Sequence, residues 1–253
     1  MKFFTGKDSI VRRIWGNSDT IMFIFAGAAA EFALNKAVDW LYFTGKLPAD
    51  PLSRLFSTVT YARLIVFSEE EKANAAIDKM AYIHSAVEEN RGAKIPDWAY
   101  RDVLFMLIDY SIRSFEVLQR KLTLQEKEDV FETFNRVGLR MGLKDLPNSY
   151  AAWLTAREQH LNNDMKYSRY TKNLFQQYRK HLGWFRYFLL KEGQVLVVPQ
   201  QVNQLLKLGS FSLLTPIIFF YKIARVIKLD WFLKSIVLPA EYKAQIKALD
   251  ATV

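Results

Sequence analysis

Three histidines and no cysteine narrow the chemistry open to this 253-residue chain. Without thiols there are no disulfides, thiolate metal sites, iron–sulfur clusters or cysteine nucleophiles, so a metal or cofactor must be held by His, Asp, Glu or Tyr. His84, within DKMAYIHSAVEEN (78–90), shares a helical stripe with Ile77, Met80, Ala81 and Val87, which turns its imidazole toward the core. That leaves two readings open, a hydrogen-bonded core histidine or a ligand. On the preceding segment Arg54 and Thr58 stand four apart, with Tyr61 and Ile65 continuing their stripe. A guanidinium and a hydroxyl one turn apart can line the far side of a pocket where two helices cross. His160, in REQHLNND, sits among polar residues and is expected to be partly exposed. His181, in QYRKHLGWF, precedes Gly183 and is placed to cap a helix C-terminus. The chain contains no G-x-G-x-x-G, Walker loop, G-x-S-x-G elbow, H-E-x-x-H or E-x-x-H, which sets aside most familiar nucleotide-binding, hydrolase, zinc-protease and di-iron chemistries.

The elements that must position these residues read as helices nearly throughout. ADPLSRLFSTVTYARLIVF places Asp50 at an N-cap and Pro51 at the first helical position, with Leu52, Leu55, Val59, Ala62 and Val66 on one face. Ser68 with Glu71, and Thr123 with Glu126, each form an S/T-x-x-E capping box at the head of a helix. Leu104, Ile108, Ser111 or Ile112, Phe115 and Leu118 recur at helical spacing. At least nine helices with short connections are expected, and only QVLVV (194–198) looks strand-like. With no internal repeat or low-complexity linker, the economical architecture is one all-α domain over residues 1–253.

A composition that is 51% hydrophobic and 15% aromatic supplies a large core. Charges interrupt both of the most apolar runs, 20–43 and 211–227, before a membrane-spanning length accumulates, so buried helices are expected there. The N-terminus lacks the apolar core and small-residue cleavage site of a secretory signal, and a cytoplasmic location is expected. Residues 1–164 carry 21 Lys/Arg against 22 Asp/Glu, whereas 165–253 carry 14 against 4. The last third is therefore basic and suited to an anionic partner. In SLLTPIIFFYKIARVIKLDWFLK, Lys222, Arg225, Lys228 and Lys234 are spaced to meet lipid head groups while Ile and Phe dip below them, so a peripheral membrane contact through residues 211–234 is expected. Nucleic acid is not the expected partner, because no binding motif accompanies the charge.

Several segments, in one order, resemble a known family, the MpaB-type and rubber (latex-clearing) oxygenases: DPLSRLFST (50–58), IHSAV (83–87), the stretch 102–131, RVGLRMGLKDLPNSYAAW (136–153) and REQHLNNDMKYS. Together they cover roughly residues 20–190, and GLRMGLKDLPNSY is most similar to the MpaB-type branch. The resemblance implies a globin-like helical core, with residues of about 191–250 as added C-terminal helices. It also implies b-type haem, and oxygen-dependent cleavage or oxidation of a C=C bond in an isoprenoid or other apolar small molecule. Carried over by position, His84 matches the axial ligand of the haem iron, and Arg54 and Thr58 match the distal R-x-x-x-T pair that binds and acts beside it. Two positions depart from the pattern. Ser57 stands where rubber-cleaving members have lysine, and Glu88 stands where a basic residue often follows the histidine, Arg91 coming only later. A non-catalytic lipid- or haem-binding helical module at a membrane surface is the alternative.

Overall fold

The computed structural model describes residues 2–43 and 50–226, and these contain eleven helices and no strand. In chain order they are α1 (Ile10–Trp15), α2 (Ser18–Leu34), α3 (Val38–Phe43), α4 (Pro51–Phe67), α5 (Glu70–Arg91), α6 (Asp97–Leu118), α7 (Leu124–Arg140), α8 (Tyr150–Asn163), α9 (Arg169–Val197), α10 (Gln200–Leu206) and α11 (Leu214–Val226). The all-α expectation holds.

The apolar run at 20–43 breaks into two helices at Asn35, whose side chain accepts from the Ala37 amide. Extended pairing between Asn35 and Met165 fixes this break against the end of α8. α2 is apolar on nearly every side and buried accordingly, with α6 and α9 packed along it. The approach of α6 is close because Gly27 has no side chain. A Cβ there would lie 2.3 Å from the Tyr110 ring. The main core gathers Ile14, Trp15, Ile21, Ile24, Leu34, Met106, Ile108, Phe134 and Trp153 from α1, α2, α6, α7 and α8. Trp15 donates its indole N–H to the Ser111 hydroxyl at 3.1 Å, so a polar atom in the deepest layer is satisfied.

α4 and α5 are consecutive helices that pack on each other next to their short connection. Val59, Ala62 and Val66 are buried, as the periodicity of α4 requires. Ile65 packs with Ala73, Ala76 and Ile77 across the pair. The box at Thr123 and Glu126 is present with both reciprocal bonds. The one expected at Ser68 and Glu71 is not: α5 begins after Glu69, without a side-chain cap. The N-terminal segment pairs with the chain at this point: Phe4 N–H donates to the Ser68 carbonyl and Glu70 N–H to the Lys2 carbonyl. QVLVV is likewise helical through Val197, as the end of α9. That long helix is interrupted at Gly183, whose φ of 72° suits glycine and breaks the helical run.

Candidate functional site

α4 and α5 carry the three residues selected from the sequence. Thr58 is half-buried and supplies the one side-chain hydroxyl among the residues lining a small cavity between α2, α4 and α6. Its other walls include Ile24, Phe25, Phe32, Val103 and Met106. The cavity measures about 20 Å³, room for about one water. His84 is also half-buried. Its ring meets Tyr100 of α6 edge-on, with centroids 5.3 Å apart. Tyr100 and Val103 are three residues apart on one stripe of α6, so His84 and Thr58 reach neighbouring positions of the same helix. They do not share the cavity, however, for His84 is not among its lining residues. Arg54 lies one turn before Thr58 in α4, and its side chain falls outside the described residues.

Glu88, one turn beyond His84, is buried and fully engaged. It accepts from the Tyr100 hydroxyl and the Ile95 amide, both at 3.0 Å, and from Lys94 at 2.9 Å. Burial alone would raise its carboxyl, but these donors hold it below the ordinary carboxylate value. Its acidic character thus has a local cause: it staples the α5–α6 turn. Arg91 closes the same helix by pairing with Asp39 at 2.8 Å and stacking on Trp40, 3.9 Å from the ring centre.

A second constellation was not foreseen. His160, expected to be partly exposed, is only 4% exposed. Glu158, Gln159, Asn162 and Asn163 beside it in sequence are exposed, and its partners are Asp164 one turn on and two carboxylates from other helices. Its Nδ1 stands 2.5 Å from Asp102 and 3.3 Å from Asp164, and its Nε2 stands 3.2 Å from Glu31. Both ring nitrogens face carboxylates, so both carry protons and the ring is an imidazolium. Burial opposes that charge, but the bonds to Asp102 and Glu31 raise His160 to about 9. One turn earlier, Arg157 grips both oxygens of Glu31, at 2.5 and 2.6 Å, and reaches Asp109 at 2.9 Å. The Tyr110 hydroxyl completes the Glu31 shell at 2.7 Å. Burial pushes Glu31 upward, yet Arg157 and His160 hold it at about 2. Burial also raises Asp102, despite His160 beside it. Sequence spacing held one signal for this cluster: Arg157 and His160 are three apart, as are Glu31 and Leu34, so each charge lies at a position a core-facing stripe would include.

His181, the third histidine, is exposed, and α9 continues past it to the break at Gly183. Just beyond that break, Trp184 is 75% exposed, with Phe185 and Phe188 also open. Phe211, Leu213, Ile217, Phe219 and Phe220 are exposed at and before the first turns of α11. Glu192 joins the two elements by accepting from the Ser212 hydroxyl and the Leu213 amide. Of the expected basic membrane contacts, Lys222 and Arg225 lie in α11 with side chains outside the described residues. Lys228 and Lys234 lie outside them altogether. No helix among the described residues is long and apolar enough to cross a membrane.

Residues 12–228 match the family model described as ER-bound oxygenase mpaB/B'/rubber oxygenase, catalytic domain. No curated protein and no solved structure matches the chain.

Proposed function

From the chain's membership of the ER-bound oxygenase mpaB/B'/rubber oxygenase catalytic-domain family, we propose that it is a haem-dependent oxygenase that cleaves or oxidises a C=C bond of an isoprenoid or similarly apolar substrate. The observation that carries the reading is the placement of Thr58. Thr58 lines an apolar cavity, with His84 approaching the same helix, α6, from α5. The residue types suit b-type haem: a half-buried imidazole on an apolar stripe would hold the iron, and Thr58, with Arg54 one turn earlier in sequence, would supply polar groups near it. The space is closed down to about one water, so accepting haem requires α4 and α5 to part from α2 and α6.

When bound, haem supplies the iron on which oxygen is activated. The protein's part is to hold and orient. His84 would hold the iron, while Ile24, Phe25, Phe32 and Met106 would exclude water and favour an apolar chain. Thr58, and Arg54 one turn earlier in the sequence of α4, would be the residues to offset negative charge on activated oxygen. We place the whole chain in one domain, with residues of about 20–190 as the oxygenase core. The test is to incubate haemin-loaded protein with squalene under air and analyse carbonyl products. Wild type is expected to yield oxygen-dependent cleavage products. Thr58→Val is expected to bind haemin but turn over at least tenfold more slowly. Haemin-loaded protein that leaves squalene and shorter isoprenoids unchanged would overturn the reading.

A second reading, a lipid-binding module at a membrane surface, is favoured by the aromatic surface at Trp184, Phe185, Phe188, Phe219 and Phe220. It is compatible with catalysis, since an apolar substrate can be drawn from a bilayer. Flotation with phosphatidylserine vesicles is expected to be lost in Trp184→Ser/Phe219→Ser. Unchanged flotation in that double variant would exclude this surface.

A further inference from the structure

We propose that Asp102, His160 and Asp164 form a binding site for one divalent first-row transition-metal ion, separate from the α4–α5 histidine. One ligand atom from each residue lies within 4.8 Å of the others. The set unites two elements: Asp102 from the first half of α6, and His160 with Asp164 at the end of α8, one helical turn apart. One imidazole and two carboxylates is a donor set for Zn²⁺, Mn²⁺ or Fe²⁺, and three protein ligands leave coordination positions for water.

The groups behind these ligands are arranged as they are behind a bound metal. A metal-bound histidine donates its other ring N–H to a carboxylate. Here His160 Nε2 faces Glu31 at 3.2 Å, and Glu31 is itself locked by Arg157. Asp102 turns its second oxygen to Asn35 Nδ2 at 3.1 Å, which leaves the first aimed at His160 Nδ1. Both the tautomer and the carboxylate orientation are therefore preset.

The geometry converges on one atom: Asp102 and Asp164 both face His160 Nδ1, at 2.5 and 3.3 Å. As a metal–nitrogen bond forms there, the Nδ1 proton leaves to solvent. Asp102 and His160 side chains are only 3% exposed, but Asp164 is 27% exposed and gives the ion its way in. The nearby cation, Lys36, is directed to the Asn163 carbonyl. Bound there, the ion would clamp the end of α8 onto α6.

The experiment titrates the EDTA-stripped full chain with Zn²⁺ in competition with a chromophoric chelator, and follows the unfolding temperature in parallel. One equivalent is expected to bind and raise that temperature. Asp164→Asn, a change at the exposed edge of the cluster, is expected to weaken binding on the order of tenfold or more. His181→Ala, at the exposed histidine, is expected to leave it unchanged. Absence of a stoichiometric site, or a site whose affinity survives Asp164→Asn, would overturn the proposal. Neither result bears on haem, because no residue of α4 or α5 takes part.

Discussion

The α2–α6–α8 interior and the α4–α5 pair both present a histidine to α6, but they treat it in opposite ways. His160 is sealed among Glu31, Asp102 and Asp164, every ring nitrogen facing a carboxylate. His84 is half-buried, with the edge of Tyr100 as its neighbour and an apolar cavity close by. Buried charges are tolerated only when paired on all sides, and such a cluster fixes the relative placement of the helices that contribute to it. A histidine on a half-buried apolar stripe adds less to that rigidity than one enclosed by three carboxylates. The first region is scaffold with a candidate ion site at its rim. The second is where oxygenase chemistry is proposed.

The contrast is broken most severely by removing the charge at its centre. Arg157→Met leaves Glu31 and Asp109 buried without their main partner, and is expected to destabilise the fold by about 3–5 kcal/mol in chemical denaturation. A loss below 1 kcal/mol would show that the cluster is not the anchor described. Gly27→Ala is expected to cost about 1–3 kcal/mol, because the Tyr110 ring it would strike is tethered through its hydroxyl to Glu31. Tyr110→Phe in the same background separates the two effects, since releasing the tether should recover part of the loss. His84→Ala should change stability by at most about 1 kcal/mol, the counterpart of the Arg157 result for the half-buried region.

The smallest expected effect concerns α7, which packs on both regions. Arg120 and the Thr123 cap hold the Glu126 carboxyl down at about 2. A carboxyl lowered on folding stabilises above its unfolded value near 4.5 and loses that contribution as pH falls toward 2. Glu126→Gln should therefore lower the unfolding temperature at pH 7, and its difference from wild type should vanish by about pH 2. A difference that persists at pH 2 would contradict the assignment.

The sequence made the helices legible where a local rule set them. Pro51 at the start of α4, the Thr123/Glu126 box and the Leu104-to-Leu118 stripe all appear in place. The Ser68 box does not form where a segment more than sixty residues earlier in the chain pairs with the Ser68 carbonyl and the Glu70 amide, and no local pattern encodes that pairing. His160 was misjudged for a related reason. Glu31 and Arg157 fall on core-facing stripes of their own helices, but no pattern along one helix names the partner that a charge meets on another. Only the crossing of α2, α6 and α8 turns them into one another's solvent. The family segments were readable because they keep their order and spacing. The closure of the cavity beside Thr58 was not, since it depends on how closely α4 packs against α2 and α6.

The central claim, that His84 is a haem ligand, is tested most directly by titrating freshly purified protein with haemin and recording the absorption spectrum. The account predicts a saturable, sharpened haem band at one equivalent in wild type. That band should be lost in His84→Ala and kept in His160→Gln wherever that variant remains folded by circular dichroism. A band of equal affinity in His84→Ala, or none in wild type, would contradict it.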